Sequence, residues 1–349
     1  MMFIKKRSTL LVSLILLLFF FNRCKPEFSV NSDSEPFVII YGLLDASEDV
    51  QYVKVFKSFL VEGNAYDVVK DISKYSYIDS IEVYLNEYTS GNPSPRRILM
   101  DTTTAIPKDS GVFLYPTQIL YRTSVKLNEN CTYEIEVFNP YTKNVTKTKV
   151  PFPLVKNVNI IRPSGSNITI TDSRINFTFY TGENTTMYQL LLKYYYTEDF
   201  INSTSRQPSP IVWDLGTVDD PAAIAGVEKT FSVSSGGSFF RKIAENIQED
   251  ANVTARHTDS IVLEIHSAAK DWGLYLKSNL PSTGINQDRL IYSNITAYNT
   301  ETGEEKYAMG IFSSRGVTVR KYENLTLHGS RDSLFHGRYT GGLKFTDIY

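Results

Sequence analysis

The sequence predicts a mainly β protein, with an N-terminal immunoglobulin-like β-sandwich and a second antiparallel β domain that carries one or two short helices. The 349 residues include 23 Tyr and 20 Phe, and aromatic residues favour pleated, half-buried surfaces. Short runs alternate apolar and polar residues, and turn clusters separate these runs. Because 42% of the residues are hydrophobic, the chain can bury sizeable cores, which excludes an intrinsically disordered protein.

The first domain is predicted over residues 36–152. Several short strands with turns between them are typical of an immunoglobulin-like sandwich. The turn cluster GNPSP at residues 91–95 is the clearest separator. The strand-like runs are 37–44, 53–59, 81–86 and 132–138.

The second β-rich domain is predicted over residues 153–349, because two prolines flank Phe152 and interrupt any strand there. Its longest run, residues 188–196, is apolar on both faces and predicts a well-covered strand. Residues 238–250 repeat apolar side chains at helical spacing, and residues 267–280 predict another short helix. A chain of this length fits two domains.

Residues 1–24 resemble a signal peptide of the lipoprotein type. Residues 5–7 (KKR) are basic, and the 13 residues from Thr9 to Phe21 carry no charge. A membrane-spanning helix needs about 20 apolar residues, so this run indicates a signal segment instead.

Cys24 directly follows the apolar run, as the lipidated cysteine of bacterial lipoproteins does. Lipidation there would hold the protein on a membrane without a spanning helix. Arg23 stands where such signals have a small residue, so an uncleaved N-terminal anchor and cleavage elsewhere remain as alternatives. Residues 25–35 are polar and predict a short tether.

The charge and the cysteine content of the chain argue against nucleic-acid binding, a disulfide and a metal site. Without the four basic residues before Cys24, 32 Lys and Arg face 38 Asp and Glu, which disfavours nucleic-acid binding. A lipidated Cys24 leaves Cys131 without a disulfide partner, and Cys131 is expected to be a small buried side chain. No CxxC or HExxH spacing occurs, so we expect no metal and no cofactor.

Nine asparagines lie in N-x-S/T sequons. One interpretation is a secreted glycoprotein. The other is a Thr-rich β protein in which Asn opens turns and Thr begins strands. The sequons at residues 176–178 and 294–296 lie in strand-like runs and favour the second interpretation.

The sequence marks no catalytic residue. It has no GxSxG elbow for a serine nucleophile, and His257 and His266 lie nine residues apart in a strand-rich segment. Aromatic side chains are the better candidates for ligand contacts: Trp213, Trp272 and Tyr275 could stack on sugar rings or a protein partner. Packing in the core or on a sheet face is the alternative for each.

Two stretches resemble a family of Bacteroidota cell-envelope lipoproteins. The first is the lipoprotein-like start followed by the strand at 37–44, and the second is residues 289–295 (RLIYSNI) followed by 309–315 (MGIFSSR). The family has no known function, but its members are often encoded beside TonB-dependent outer-membrane receptors. The resemblance implies an outer-membrane location, an accessory role in nutrient uptake and such a receptor as partner, and it carries over no catalytic residues.

We therefore expect a non-enzymatic surface lipoprotein that is anchored through Cys24 and presents a binding surface on two β domains. A fimbrial or adhesin subunit, which would exchange a strand between subunits, is one alternative. A surface glycan-binding protein is another. A hydrolase whose site the motifs do not mark is the third, with His257 and His266 as its candidates.

Overall fold

The computed structural model describes residues 35–59, 69–111, 113–114, 116–279 and 291–347. The predicted signal segment, Cys24 and all of the tether except Glu35 lie outside these residues.

The described chain is built from β-strands with a few short helices, so the mainly β prediction is confirmed. The strands in the first part of the chain are β1 (Val38–Leu44), β2 (Gln51–Lys57), β3 (Glu82–Tyr88), β4 (Arg96–Leu99), β5 (Asp101–Thr103), β6 (Leu120–Thr123), β7 (Thr132–Asn139), β8 (Asn144–Thr148) and β9 (Phe152–Pro153). The others are β10 (Asn159–Arg162), β11 (Asn167–Ile168), β12 (Ile175–Tyr180), β13 (Met187–Phe200), β14 (Ser205–Arg206), β15 (Ile211–Asp219), β16 (Glu228–Val233), β17 (Val253–Ala268), β18 (Ile295–Asn299), β19 (Glu305–Lys306), β20 (Ala308–Tyr322) and β21 (Asn324–Leu325). The α-helices are α1 (Ile72–Tyr75), α2 (Gly237–Asn246), α3 (Lys270–Asn279) and α4 (Asp332–His336).

The first lobe is a β-sandwich. One sheet contains β5, β6, β2, β1 and the first half of β20, and the other contains β4, β3, β7, β8, β18 and β19, with β9 beside β7. Inward side chains of both sheets form one core, in which Ile40, Leu85 and Phe312 have no exposed surface. The alternation that predicted these strands places every second side chain in this core.

Tyr133 closes one corner of this sandwich. Its side chain is fully buried, its hydroxyl donates to a Glu87 carboxylate oxygen at 2.7 Å, and it accepts from the Asn128 backbone N–H at 2.6 Å. A tyrosine that bonds back to the backbone a few residues upstream is a feature of immunoglobulin-like sandwiches. Cys131 lies two residues before Tyr133 and is buried, as expected.

Strand β20 belongs to both lobes. Residues 308–314 pair in parallel with β1, and residues 315–322 pair antiparallel with β17. Gly310 has a φ of 123°, and a Cβ at this position would lie 1.9 Å from the Ile40 carbonyl oxygen, so only glycine permits the close approach of the two strands.

Residues 295–314 therefore contribute strands to the first lobe, because β18 pairs with β8 and the first half of β20 pairs with β1. Sequence reasoning assigned them to the second domain. The domain boundary at residue 153 stays a prediction, but the second segment of the chain returns to the first core.

The second lobe packs two sheets and helix α2 around its own core. The larger sheet holds β14, β13, β17 and the second half of β20, with β15 also on β13, and β10, β12 and β16 form the other sheet. The amphipathic pattern of α2 buries Phe239, Phe240 and Ile243 in that core. Both predicted helices are present, although α3 begins at Lys270 because residues 267–268 continue β17.

Residues 332–347 pack against the second core through Leu334, Leu343 and Phe345. The Arg256 guanidinium lies beneath them with only 2% of the side chain exposed. It donates to a Glu198 carboxylate oxygen at 2.9 Å and to the Leu343 carbonyl oxygen at 2.7 Å. The ion pair thus joins β13, β17 and this C-terminal segment.

We predict that Glu198→Ala lowers the free energy of unfolding by about 3–5 kcal/mol, because it leaves the Arg256 charge buried without its carboxylate. Denaturant unfolding measures the change. The matched control is Glu245→Ala, whose partner Arg241 lies 3.9 Å away with both side chains 59% exposed, and it should change the free energy by less than about 1 kcal/mol. Equal effects of the two variants would contradict the prediction.

Candidate functional site

A cleft of about 600 Å³ lies where the two lobes meet. Ligand sites commonly occur at such junctions and have this size. Its walls are mostly apolar and come from the segment before and within β9, the first residue of β13, the turn after β15, and α3. The lining residues are Val150, Pro151, Phe152, Pro153, Asn184, Thr186, Met187, Asp219, Pro221, Ala223, Ala269, Lys270, Asp271, Gly273, Leu274, Lys277 and Ser313.

Helix α3 presents one of its faces to the cleft. Lys270, Gly273, Leu274 and Lys277 all line it, and their i, i+3, i+4, i+7 spacing places them on one side of a helix. A Cβ at position 273 would lie 3.2 Å from the Thr186 hydroxyl oxygen, so glycine lets the helix approach the start of β13.

The charges at the cleft differ in how they are paired. Lys277 Nζ lies 2.9 Å from a carboxylate oxygen of Asp219, and this exposed pair bridges α3 and the end of β15. Among the described residues, Asp271 accepts from two neutral donors, the Tyr292 hydroxyl at 2.6 Å and Asn294 Nδ2 at 2.9 Å. Burial, followed by the Asp271 carboxylate, raises the pKa of Tyr292 above its usual range, so this hydroxyl stays a donor.

Asn294 connects this network to β20. Its Nδ2 donates to the Phe312 carbonyl oxygen at 2.8 Å, and its Oδ1 accepts from the Phe312 N–H at 3.1 Å. Asn294 is only 5% exposed. The YSNI stretch (residues 292–295) and the GIF stretch (residues 310–312), on which the resemblance to the lipoprotein family depends, are therefore in direct contact. Both connect to the first turn of α3.

Ser313 provides a polar group inside the cleft. The residue is 1% exposed, and its hydroxyl oxygen has no hydrogen-bond partner within the described part of the chain. Buried polar groups are normally hydrogen-bonded, so this unpaired hydroxyl is an exception at the wall of the cleft.

The three aromatic residues predicted as ligand contacts do not form one site. Trp272 and Tyr275 stack on α3, with ring centroids 5.5 Å apart and planes 15° apart, on a different helix face from the residues that line the cleft. Trp213 lies in the second lobe and packs on Phe239 at 5.8 Å, which corresponds to the core-packing alternative. The ligand-binding role of Trp272 and Tyr275 stays a prediction.

Two further aromatic rings lie next to the Trp272–Tyr275 pair, and sequence reasoning missed both of them. Tyr41 lies 6.1 Å from Tyr275, and Phe56 lies 5.8 Å from Tyr41. Burial and then the Tyr275 hydroxyl raise the pKa of Tyr41 to about 12. The alternation of the two strands could have found these rings. Tyr41 and Phe56 lie at outward positions of β1 and β2, since their neighbours Ile40 and Val55 are buried.

The histidines that would serve a hydrolase are engaged in polar pairs. His257 Nε2 lies 2.9 Å from Asp199, whose other carboxylate oxygen accepts from the Ser205 hydroxyl at 2.6 Å. The serine thus contacts the carboxylate and not the imidazole, unlike a nucleophile activated by histidine. His266 pairs with Glu264 at 2.9 Å. Among the described residues, no group of three or more His, Cys, Asp or Glu side chains could hold a metal ion.

Comparisons with known proteins assign no family. No protein-family model and no curated protein matches the chain. Among solved structures, it is similar to the C-terminal globular domain of an oligosaccharyltransferase from Pyrococcus abyssi, with 8% sequence identity and a TM-score of 0.22. That match covers 66% of this chain and 47% of the other, so the chain spans about half of that domain, and the low TM-score carries no functional argument.

Within the residues that the structure describes, no helix is long and apolar enough to cross a membrane.

We predict that Asn294→Ala destabilises the protein by about 1–3 kcal/mol for each buried group that it leaves unpaired. The groups at risk are the Phe312 N–H and carbonyl oxygen. Denaturant unfolding measures the loss. Tyr292→Phe is the milder comparison, because it removes a single donor to Asp271. If Asn294→Ala unfolds like the parent protein, the network does not support the junction.

Proposed function

We propose that the chain is a lipid-anchored binding protein of the bacterial outer membrane, and that its ligand occupies the cleft between the two lobes. The observation that carries the proposal is the cleft itself. An apolar cavity at a lobe junction, with a few polar groups that fix orientation, has the properties of a ligand site.

The polar groups of the cleft are suited to binding and not to chemistry. The Ser313 hydroxyl is unpaired among the described residues, whereas Asp271 is held by Tyr292 and Asn294. The Lys277–Asp219 pair at the rim is satisfied within the protein. A mostly apolar cleft whose carboxylates, Asp219 and Asp271, are both engaged within the protein supports a non-enzymatic role in this proposal.

The anchor and the partner follow from the sequence. The signal segment that ends at Cys24 favours a diacylated N-terminus, and the resemblance to the Bacteroidota lipoproteins favours a TonB-dependent receptor as partner. In this proposal the protein holds its ligand beside the receptor and assists uptake.

Cys24→Ser tests the anchor. The native chain should fractionate with outer membranes and co-purify with a receptor after detergent extraction, whereas the Cys24→Ser chain should be released and recovered alone, because it lacks the acyl chains. Mass spectrometry of the purified material identifies the partner. Recovery of the native chain as its own multimers would contradict the accessory role and favour the fimbrial alternative.

Leu274→Arg tests the cleft, because it places a long charged side chain at the apolar wall. We expect it to weaken binding of the uncharged apolar dye Nile red, measured by fluorescence titration. Leu327→Arg is the matched control: Leu327 is 62% exposed and does not line the cleft. Equal dye binding by both variants would contradict an apolar ligand site in the cleft.

A further inference from the structure

The outer face of the first lobe carries a second polar and aromatic surface, separate from the cleft. We propose that this surface binds an acidic saccharide that contains uronate residues. The proposal rests on the proposed function in one respect, namely that the chain is a binding protein, and it adds a second site and its ligand class.

Four aromatic rings form a continuous row across three elements. The row runs from Phe56 on β2 through Tyr41 on β1 to Tyr275 and Trp272 on α3, with successive centroids 5.8, 6.1 and 5.5 Å apart. All four side chains keep part of their surface in solvent, and Tyr41 is 37% exposed. The row is therefore a half-exposed aromatic surface and not part of the core.

Two lysines lie at the β2 side of this row. Lys54 is the direct cross-strand partner of Tyr41, and its Nζ donates to the Gln118 side-chain oxygen at 3.1 Å. Lys108 lies beside the same glutamine, because Gln118 Nε2 donates to the carbonyl oxygens of Ile106 and Pro107 at 3.3 and 3.4 Å. Burial lowers the pKa of Lys54, and the charge of Lys108 lowers it further. Lys108 Nζ itself contacts the Phe113 carbonyl oxygen at 3.4 Å and its ring at 5.1 Å.

Neither ammonium contacts a carboxylate in the described residues. Two neighbouring cations, one of them half-buried, repel each other unless an anion lies between or beside them. Lys193 and Lys229, by comparison, pair with Glu264 and Asp220 at 2.7 and 3.2 Å. The lysine pair therefore favours an anionic ligand.

The combination of an aromatic row with two neighbouring lysines favours a ligand that has flat apolar faces and regularly placed negative charges. A pyranose ring has a C–H face that packs on an aromatic ring, while its hydroxyls at the edge reach groups such as the Tyr41 and Tyr275 hydroxyls and Gln118. A uronate adds a carboxylate that forms charge-assisted hydrogen bonds with lysine. A neutral sugar would leave Lys54 and Lys108 without a counter-ion.

The probe is tetragalacturonate, and its fully methyl-esterified form is the matched ligand, since esterification removes the charges and keeps the rings. Binding to the full-length chain is measured by isothermal titration. In the Trp213→Phe chain the fluorescence of Trp272 reports contact at the row, because these are the two tryptophans of the sequence. We expect the acid to bind and to change Trp272 fluorescence, and the ester to bind at least about tenfold more weakly, which corresponds to the loss of a charge-assisted contact.

Lys54→Gln and Tyr41→Ala should each weaken binding of the acid by about tenfold or more, since they remove a charge-assisted contact and a stacking surface, respectively. Lys321→Gln is the matched control, because Lys321 is exposed and lies in the half of β20 that pairs with β17, away from both proposed sites, and it should bind like the parent. Lys54→Arg, which keeps the charge, should retain binding. Thermal unfolding of each variant verifies that it is folded.

Three results would overturn the proposal: equal binding of acid and ester, equal weakening by Lys321→Gln and Lys54→Gln, or binding that leaves Trp272 fluorescence unchanged. If Tyr41→Ala fails to fold, Lys54→Gln alone still decides the test. Failure of this site leaves the dye binding of the cleft and the co-purification with a receptor unchanged, so it is distinguishable from failure of the proposed function.

Discussion

The shared strand β20 is the constraint on which the rest of the structure depends. Its first half completes the sandwich of the first lobe, and its second half completes the large sheet of the second. Because one continuous strand serves both cores, the lobes cannot shift along each other without breaking hydrogen bonds in one of the sheets. Gly310 makes this possible, because no other residue fits against the Ile40 carbonyl.

Helix α3 is attached to this shared strand and contributes residues to both proposed binding surfaces. Its first turn is held to β20 through Asp271, Asn294 and the backbone of Phe312. The helix therefore has a fixed position at the junction, with one face in the cleft and another in the row of aromatic rings. Both proposed sites thus depend on the placement of the same ten residues.

Local pattern was enough to predict several of the strands and the two longer helices, but not how distant strands pair. The run at 37–44 predicted β1, yet its parallel partner is β20, far away in the sequence, and alternation contains no information about such a partner. For the same reason the pairing of residues 295–314 with strands of the first lobe was not predicted. At the site, Trp272 and Tyr275 stack on the predicted helix α3, whereas Trp213 lies at the second core. Tyr41 joins the row only through tertiary packing.

Site-specific photocrosslinking tests most directly whether the junction is the binding site. A p-benzoylphenylalanine at position 274, in the full chain expressed in its own membrane, is predicted to crosslink the bound partner or ligand on irradiation. The same group at position 327, which is exposed and away from the cleft, should give no such product. Crosslinks from position 327 alone, or the same product from both positions, would contradict binding at the junction of the lobes.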